Sequence, residues 1–116
     1  MTKKNVFISM YRALDCLYDE TQREDLGNYL SEANPYLFSD RNSDDPAIFA
    51  GFSDYFDSFH NKNDISAEEG YVLVNNYLRS EHMAYYGKFE PLFEDVSLDE
   101  WADLCRIVEV EESVQI

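Results

Sequence analysis

Ser66-Ala67-Glu68-Glu69-Gly70-Tyr71-Val72-Leu73-Val74-Asn75-Asn76-Tyr77-Leu78 is the stretch that decides how this chain folds. It opens with Ser-x-x-Glu, the capping box in which a serine hydroxyl and a glutamate carboxylate each satisfy a backbone N–H at a helix start. Tyr71, Val74 and Leu78 then recur at spacings of three and four, and Val72, Leu73 and Tyr77 fill the intervals. The segment reads as a helix apolar nearly all round, and so as the central one. Working outward, Ser97-x-x-Glu100 repeats the start signal ahead of Leu98, Trp101, Leu104, Cys105 and Val108, which predicts a last helix to about Glu109 and a frayed acidic tail from about residue 110. Thr21-x-x-Glu24 is a third such signal, placed before Leu26, Tyr29, Leu30 and Ala33 and stopped by Asn34-Pro35.

The remaining segments fit the same pattern. Phe7, Met10, Tyr11, Leu14, Leu17 and Tyr18 predict a first helix from about Val6 to Asp19, joined to the second as a helical hairpin. Asp45 stands as an N-cap before Pro46 at the first helical position. Ile48, Phe49, Phe52, Phe56 and Phe59 then form the apolar stripe of a third helix running to about His60. Between Gly87 and Val96 a short helix is expected to start at Pro91. No clear alternating strand occurs, so the expected fold is all-α: a compact single-domain bundle of about five helices covering residues 1–116.

Composition sets the functional question. The 116 residues carry 24 Asp and Glu against 9 Lys and Arg, a formal net charge of −15, yet 45% are apolar and 16% aromatic. Such a chain has enough apolar surface to fold, and its charge opposes phosphate-rich partners, so neither nucleic acid nor an anionic membrane is expected to bind directly. Lys3 and Lys4 begin the chain as a signal peptide might, but Arg12 and Asp15 interrupt the apolar run, and no stretch reaches the length of a membrane span. A cytoplasmic location is the expectation. Cys16 and Cys105, the two cysteines, have apolar sequence neighbours and are expected to be reduced and packed in the core.

Several chemistries can be weighed from residue types and spacing. Asp40, Asn42 and Asp44 open like a calcium loop, but the required glycine is Asp45 and the bidentate glutamate is Gly51, so the cluster reads as a helix cap. Asp57-x-x-His60 places one carboxylate and one imidazole on a helix face without the second copy a di-metal bundle needs, and His82 stands apart. Gly27, Gly51, Gly70 and Gly87 are isolated, so no phosphate loop is present, and no serine or cysteine has a recognisable base. Neither a catalytic residue nor a cofactor is expected.

The acids leave a stronger signal. Some of them favour helix starts, as Glu68, Glu69, Asp99 and Glu100 do, but mere solubility would intersperse both signs. From Phe89 onward the acids are Glu90, Glu94, Asp95, Asp99, Glu100, Asp103, Glu109, Glu111 and Glu112, against Arg106 alone. A surface of one sign steers an oppositely charged partner. Tyrosines set among acids, Tyr18, Tyr36, Tyr55, Tyr85 and Tyr86, are candidate anchors, whereas Tyr71 and Tyr77 belong to the core. The expected binding set is Asp54, Tyr55, Asp57, Tyr85, Tyr86, Glu90, Glu94, Asp95, Asp99 and Asp103. In physical type, small, acidic, helical and tyrosine-bearing, the chain is similar to bacterial immunity proteins. That resemblance rests on no motif, and it implies a non-enzymatic module that neutralises or regulates a basic protein, such as a toxin or nuclease domain. The alternatives are a structural or regulatory subunit that self-associates through an apolar helix face, and a nucleic-acid mimic.

Overall fold

Thr2 starts the first helix, its hydroxyl accepting a hydrogen bond from the Asn5 amide at 3.2 Å. The computed structural model describes residues 1–35, 46–60, 64–81, 83 and 95–113. Within them five helices are present: α1 (Lys3–Thr21), α2 (Glu24–Ala33), α3 (Pro46–Phe59), α4 (Ala67–Leu78) and α5 (Leu98–Ser113). The fold is an all-α bundle, with no strand among the described residues. The Asp40–Asp44 cluster, the Asp45 cap and the short helix expected at Pro91 lie outside the described residues.

Of the three capping signals, one forms the full box and a second forms only its hydroxyl half. Ser66 Oγ accepts from the Glu69 amide at 3.1 Å while the Glu69 carboxylate accepts from the Ser66 amide at 3.0 Å, the complete reciprocal box. Ser97 Oγ accepts from the Glu100 amide at 3.1 Å and donates to the Glu100 carboxylate at 3.3 Å. The third fails. Thr21 is the last residue of α1, and its hydroxyl donates to the Leu17 carbonyl at 2.8 Å, so it cannot cap α2. Gln22 ends α1 in the left-handed region (φ 56°), its amide returning to Tyr18 O at 2.7 Å. The start of α2 is served instead by Asp25, which accepts from the Leu26 amide and from Arg23, both at 2.9 Å. Hydrogen bonding from Arg23 is the main reason the Asp25 carboxyl sits below the usual range.

The centre of the bundle is α1, not α4. Val6, Phe7, Ile8, Ser9 and Met10 are buried in succession, which on a helix means cover on every side. Accordingly α1 packs against each of the other four helices. Phe7 meets Phe49 and Phe52 of α3, each at 5.2 Å between ring centroids, and Phe52 meets Tyr77 of α4 at 5.1 Å. On α4 the apolar character is less complete in space than in sequence, because Val72 points outward, half exposed. Burial pushes the hydroxyl pKa of Tyr77 up, and the nearby Tyr29 hydroxyl acts the other way. Trp101, fully buried on α5, donates its Nε1–H to the Ala67 carbonyl at 2.9 Å, and Tyr71 donates to the Val96 carbonyl, so α4 and α5 are locked at their starts.

Ion pairs tether α1 to its neighbours. Lys3 Nζ reaches Asp57 at 2.9 Å and Ser53 at 2.8 Å on α3, and lies 5.5 Å over the Phe56 ring. Arg12 reaches Glu111 of α5 at 2.5 Å. That contact helps explain why α5 continues past Glu109 to Ser113, where the sequence predicts fraying: α5 runs along α1 and is held there. The Met1 ammonium donates to the Asp64 carboxylate and, at 2.6 Å, to the Ile65 carbonyl ahead of α4.

The phenylalanine stripe of α3 divides. Phe52 and Phe56 are buried, but Phe59, the last residue of the helix, is 51% exposed, its ring lying on Tyr55 at 4.9 Å. Phe52→Ala should therefore lower unfolding free energy by about 3–5 kcal/mol, whereas Phe59→Ala should cost less than about 1 kcal/mol. Urea denaturation of the two variants measures the difference.

Candidate functional site: the outward face of α5

Helical periodicity gives α5 two faces. Trp101, Cys105 and Val108 point into the bundle. Asp99, Asp103, Ile107 and Val110, spaced by four, four and three residues, lie on the opposite side, all exposed. Ile107 is 47% exposed and Val110 62%, and with Asp103, Arg106 and Glu111 they line a hollow of about 630 Å³. The face thus has an acidic first half and an apolar second half rimmed by charge.

The charge on this face is only partly neutralised. Asp103 pairs with Arg106 one turn on, both largely exposed, a type of contact worth about 0–1 kcal/mol. Glu111 is committed to Arg12. Asp95, Asp99 and Glu109 pair with no described cation. Of the acids expected to bind, Asp95, Asp99 and Asp103 therefore fall on α5 or the turn just before it. Asp54, Tyr55 and Asp57 fall on α3, and α1 and α4 each pack against both α3 and α5. Tyr85, Tyr86, Glu90 and Glu94, like Tyr36 and His82, lie outside the described residues.

The α3 set is more committed to structure than its sequence suggests. Asp57 is the tether for Lys3. Tyr55 is half-buried, with its ring 5.5 Å from Tyr77, and burial raises its hydroxyl pKa while nearby Arg79 acts the other way. Asp54 is exposed and pairs with no described cation. His60, at the end of α3, faces α4: its Nδ1 lies 3.8 Å from the Glu69 carboxylate and its ring 5.8 Å from Phe56. Asp57 and His60 therefore turn to different partners. No group of three or more His, Cys, Asp or Glu among the described residues is arranged to hold a metal ion, and no helix there is long and apolar enough to cross a membrane.

The sequence reading missed the exposed pair Ile107 and Val110, and it misplaced one cysteine. Cys16 is exposed, not packed in the core. Its neighbours on the helix surface, three or four residues away, are Arg12, Ala13, Asp19 and Glu20, three of them charged, whereas Leu14 and Leu17 lie on other faces. The same rule, applied to Cys105, brings Trp101, Ala102, Val108 and Glu109 beside it, three of them apolar, and Cys105 is buried. Burial pushes its thiol up to about 11, the Ser9 hydroxyl beside it acting the other way.

No protein-family model matches the chain, and no curated protein or solved structure matches it either. At pH 8, a disulfide-exchange reagent should modify Cys16 rapidly in the native protein and reach Cys105 only on unfolding. Counting thiols released with and without denaturant checks this.

Proposed function

We propose that this protein is a non-enzymatic acidic binding module that docks a cationic protein on the outward face of α5, in the manner of an immunity protein neutralising a toxin or nuclease domain. One observation carries the reading: the exposed acids Asp99 and Asp103, of which Asp99 pairs with no described cation, share a helix face with the exposed apolar side chains of Ile107 and Val110. Lys3, Arg12, Arg23 and Arg106 each already hold a carboxylate and Arg79 is bonded to Asn76, so none of these five neutralises Asp95, Asp99 or Glu109. The acids supply attraction at long range, and Ile107 and Val110 supply the water-excluding contact that slows dissociation.

The same face suits a second copy of the chain poorly. Self-association would bring Asp99, Asp103 and Glu109 against themselves, and Tyr71 and Tyr77, the apolar candidates on α4, are used inside the fold. A nucleic acid would meet like charge. The fitting partner presents lysine and arginine around an apolar ridge.

A helical peptide with two leucines one turn apart, flanked by lysines, is a suitable probe. Its association rate constant should fall by about tenfold or more between low and high salt as exposed charges are screened. Asp99→Asn with Asp103→Asn should slow association, and Ile107→Ser should speed dissociation. A rate constant indifferent to salt, or variants indistinguishable from the parent, would sink the proposal.

A further inference from the structure

A second concavity lies away from α5, between the two helices of the hairpin. It has a volume of about 360 Å³, at the small end of ligand sites. Tyr11, Asp15 and Tyr18 line it from α1, at spacings of four and three, and Glu24, Asn28 and Ser31 line it from α2, at spacings of four and three. Two antiparallel helices therefore offer matched polar and aromatic stripes to one groove. Buried Leu30 also lines it, and Asn34 stands at the end of α2.

Gly27 gives the groove its shape. A Cβ atom there would stand 2.8 Å from Cε2 of Tyr18, closer than real side chains pack. The absence of a side chain lets the Tyr18 ring lie in its present place beside α2, where it walls the groove. The groove also carries negative charge that no described cation cancels. Asp15 and Glu24 pair with no described cation, while nearby Arg23 is committed to Asp25 at 2.9 Å. Burial, and then the neighbouring Asp19 carboxylate, push the Asp15 carboxyl up, so a cation arriving in the groove would relieve it.

We infer that the groove between α1 and α2 receives one guanidinium group, presented by an arginine side chain of a partner protein, between the rings of Tyr11 and Tyr18 and the carboxylates of Asp15 and Glu24. The chemistry selects this group over others. An anion is repelled by the two acids. A metal ion would find no group of three or more His, Cys, Asp or Glu arranged to hold it among the described residues, and tyrosine rings wall the groove. An ammonium would meet the carboxylates but would use the aromatic walls less well. A planar guanidinium stacks on tyrosine and directs its five N–H donors around its edge, where two carboxylates, the side-chain oxygens of Asn28 and Asn34 and the Ser31 hydroxyl accept. This goes beyond the α5 reading, because it uses different helices and could hold whether or not α5 is the docking face.

The test is an amide-resolved NMR titration at constant ionic strength with three probes: N-acetyl-arginine methylamide, N-acetyl-lysine methylamide and agmatine. The arginine compound should give saturable shifts confined to the groove, at Asn28, Ser31 and Asn34, with the lysine compound weaker by about fivefold or more. Asp15→Asn, an exposed substitution that leaves the fold intact, should weaken arginine binding by about tenfold. Gly27→Ala, which forces the Tyr18 ring to shift, should weaken it. The pair Asp99→Asn and Ile107→Ser should leave the arginine titration unchanged, so failure on α5 and failure in the groove are separately visible. Shifts that never saturate, equal responses to arginine and lysine, or indifference to Asp15→Asn would overturn the inference. Binding of agmatine without the blocked arginine would overturn the protein source.

Discussion

The burial of five consecutive residues, Val6 to Met10, is the constraint on which the rest of the structure depends. A helix exposed on one side can bury only a stripe, so five buried residues in succession require neighbours all around. α1 obtains them by contacting every other helix. Each of Val6, Phe7, Ile8 and Met10 contributes roughly 1.5–3 kcal/mol of apolar burial, and losing any flanking helix would return part of that surface to water. The order of the remaining helices around α1 then decides what faces outward: Cys16 and Asp19 on α1, Asp54 on α3, and Asp99, Asp103, Ile107 and Val110 on α5.

That arrangement also decides where the scarce cations go. Lys3 and Arg12 lie on the hub helix and reach outward to Asp57 of α3 and Glu111 of α5. They serve as tethers, and each consumes one carboxylate. The described structure thus uses its positive charges at helix junctions or in local pairs such as Arg23–Asp25 and Arg106–Asp103, leaving a surplus of acid on the outer faces. An outward excess of one sign destabilises the isolated protein somewhat and favours a cationic partner for the same electrostatic reason.

Local chemistry was the most legible part of the sequence. The Ser66 and Ser97 caps and the Pro46 start lie where composition put them, because capping involves residues within one turn. Thr21 misled because a threonine can return its hydroxyl to the carbonyl four residues back, and Thr-x-x-Glu alone does not say which helix it belongs to. The role of α1 as hub was hidden for a different reason. Ser9 interrupts its apolar pattern yet is wholly buried, and only packing from several helices reveals that all sides are covered. The acidic half of the α5 face could be read from Asp99 and Asp103. Its apolar half could have been found by asking which apolar residues fall opposite Trp101, namely Ile107 and Val110. The α1–α2 groove was not legible, since it needs the Gly27 contact with Tyr18 across two helices.

The central claim is that this fold leaves a set of described acids, Asp15, Asp54, Asp95, Asp99 and Glu109 among them, without a described cationic partner, so that the excess negative charge acts outward. The most direct measurement is the thermal midpoint of the isolated protein as sodium chloride is raised from about 0.01 M to 0.2 M, where the screening length shrinks from roughly 30 Å to below 10 Å. Repulsion among unpaired acids predicts a midpoint that rises by about 4 °C or more, equivalent to ~1 kcal/mol in a domain of this size. A midpoint that falls with salt would mean that attractive pairs dominate, and it would contradict the account.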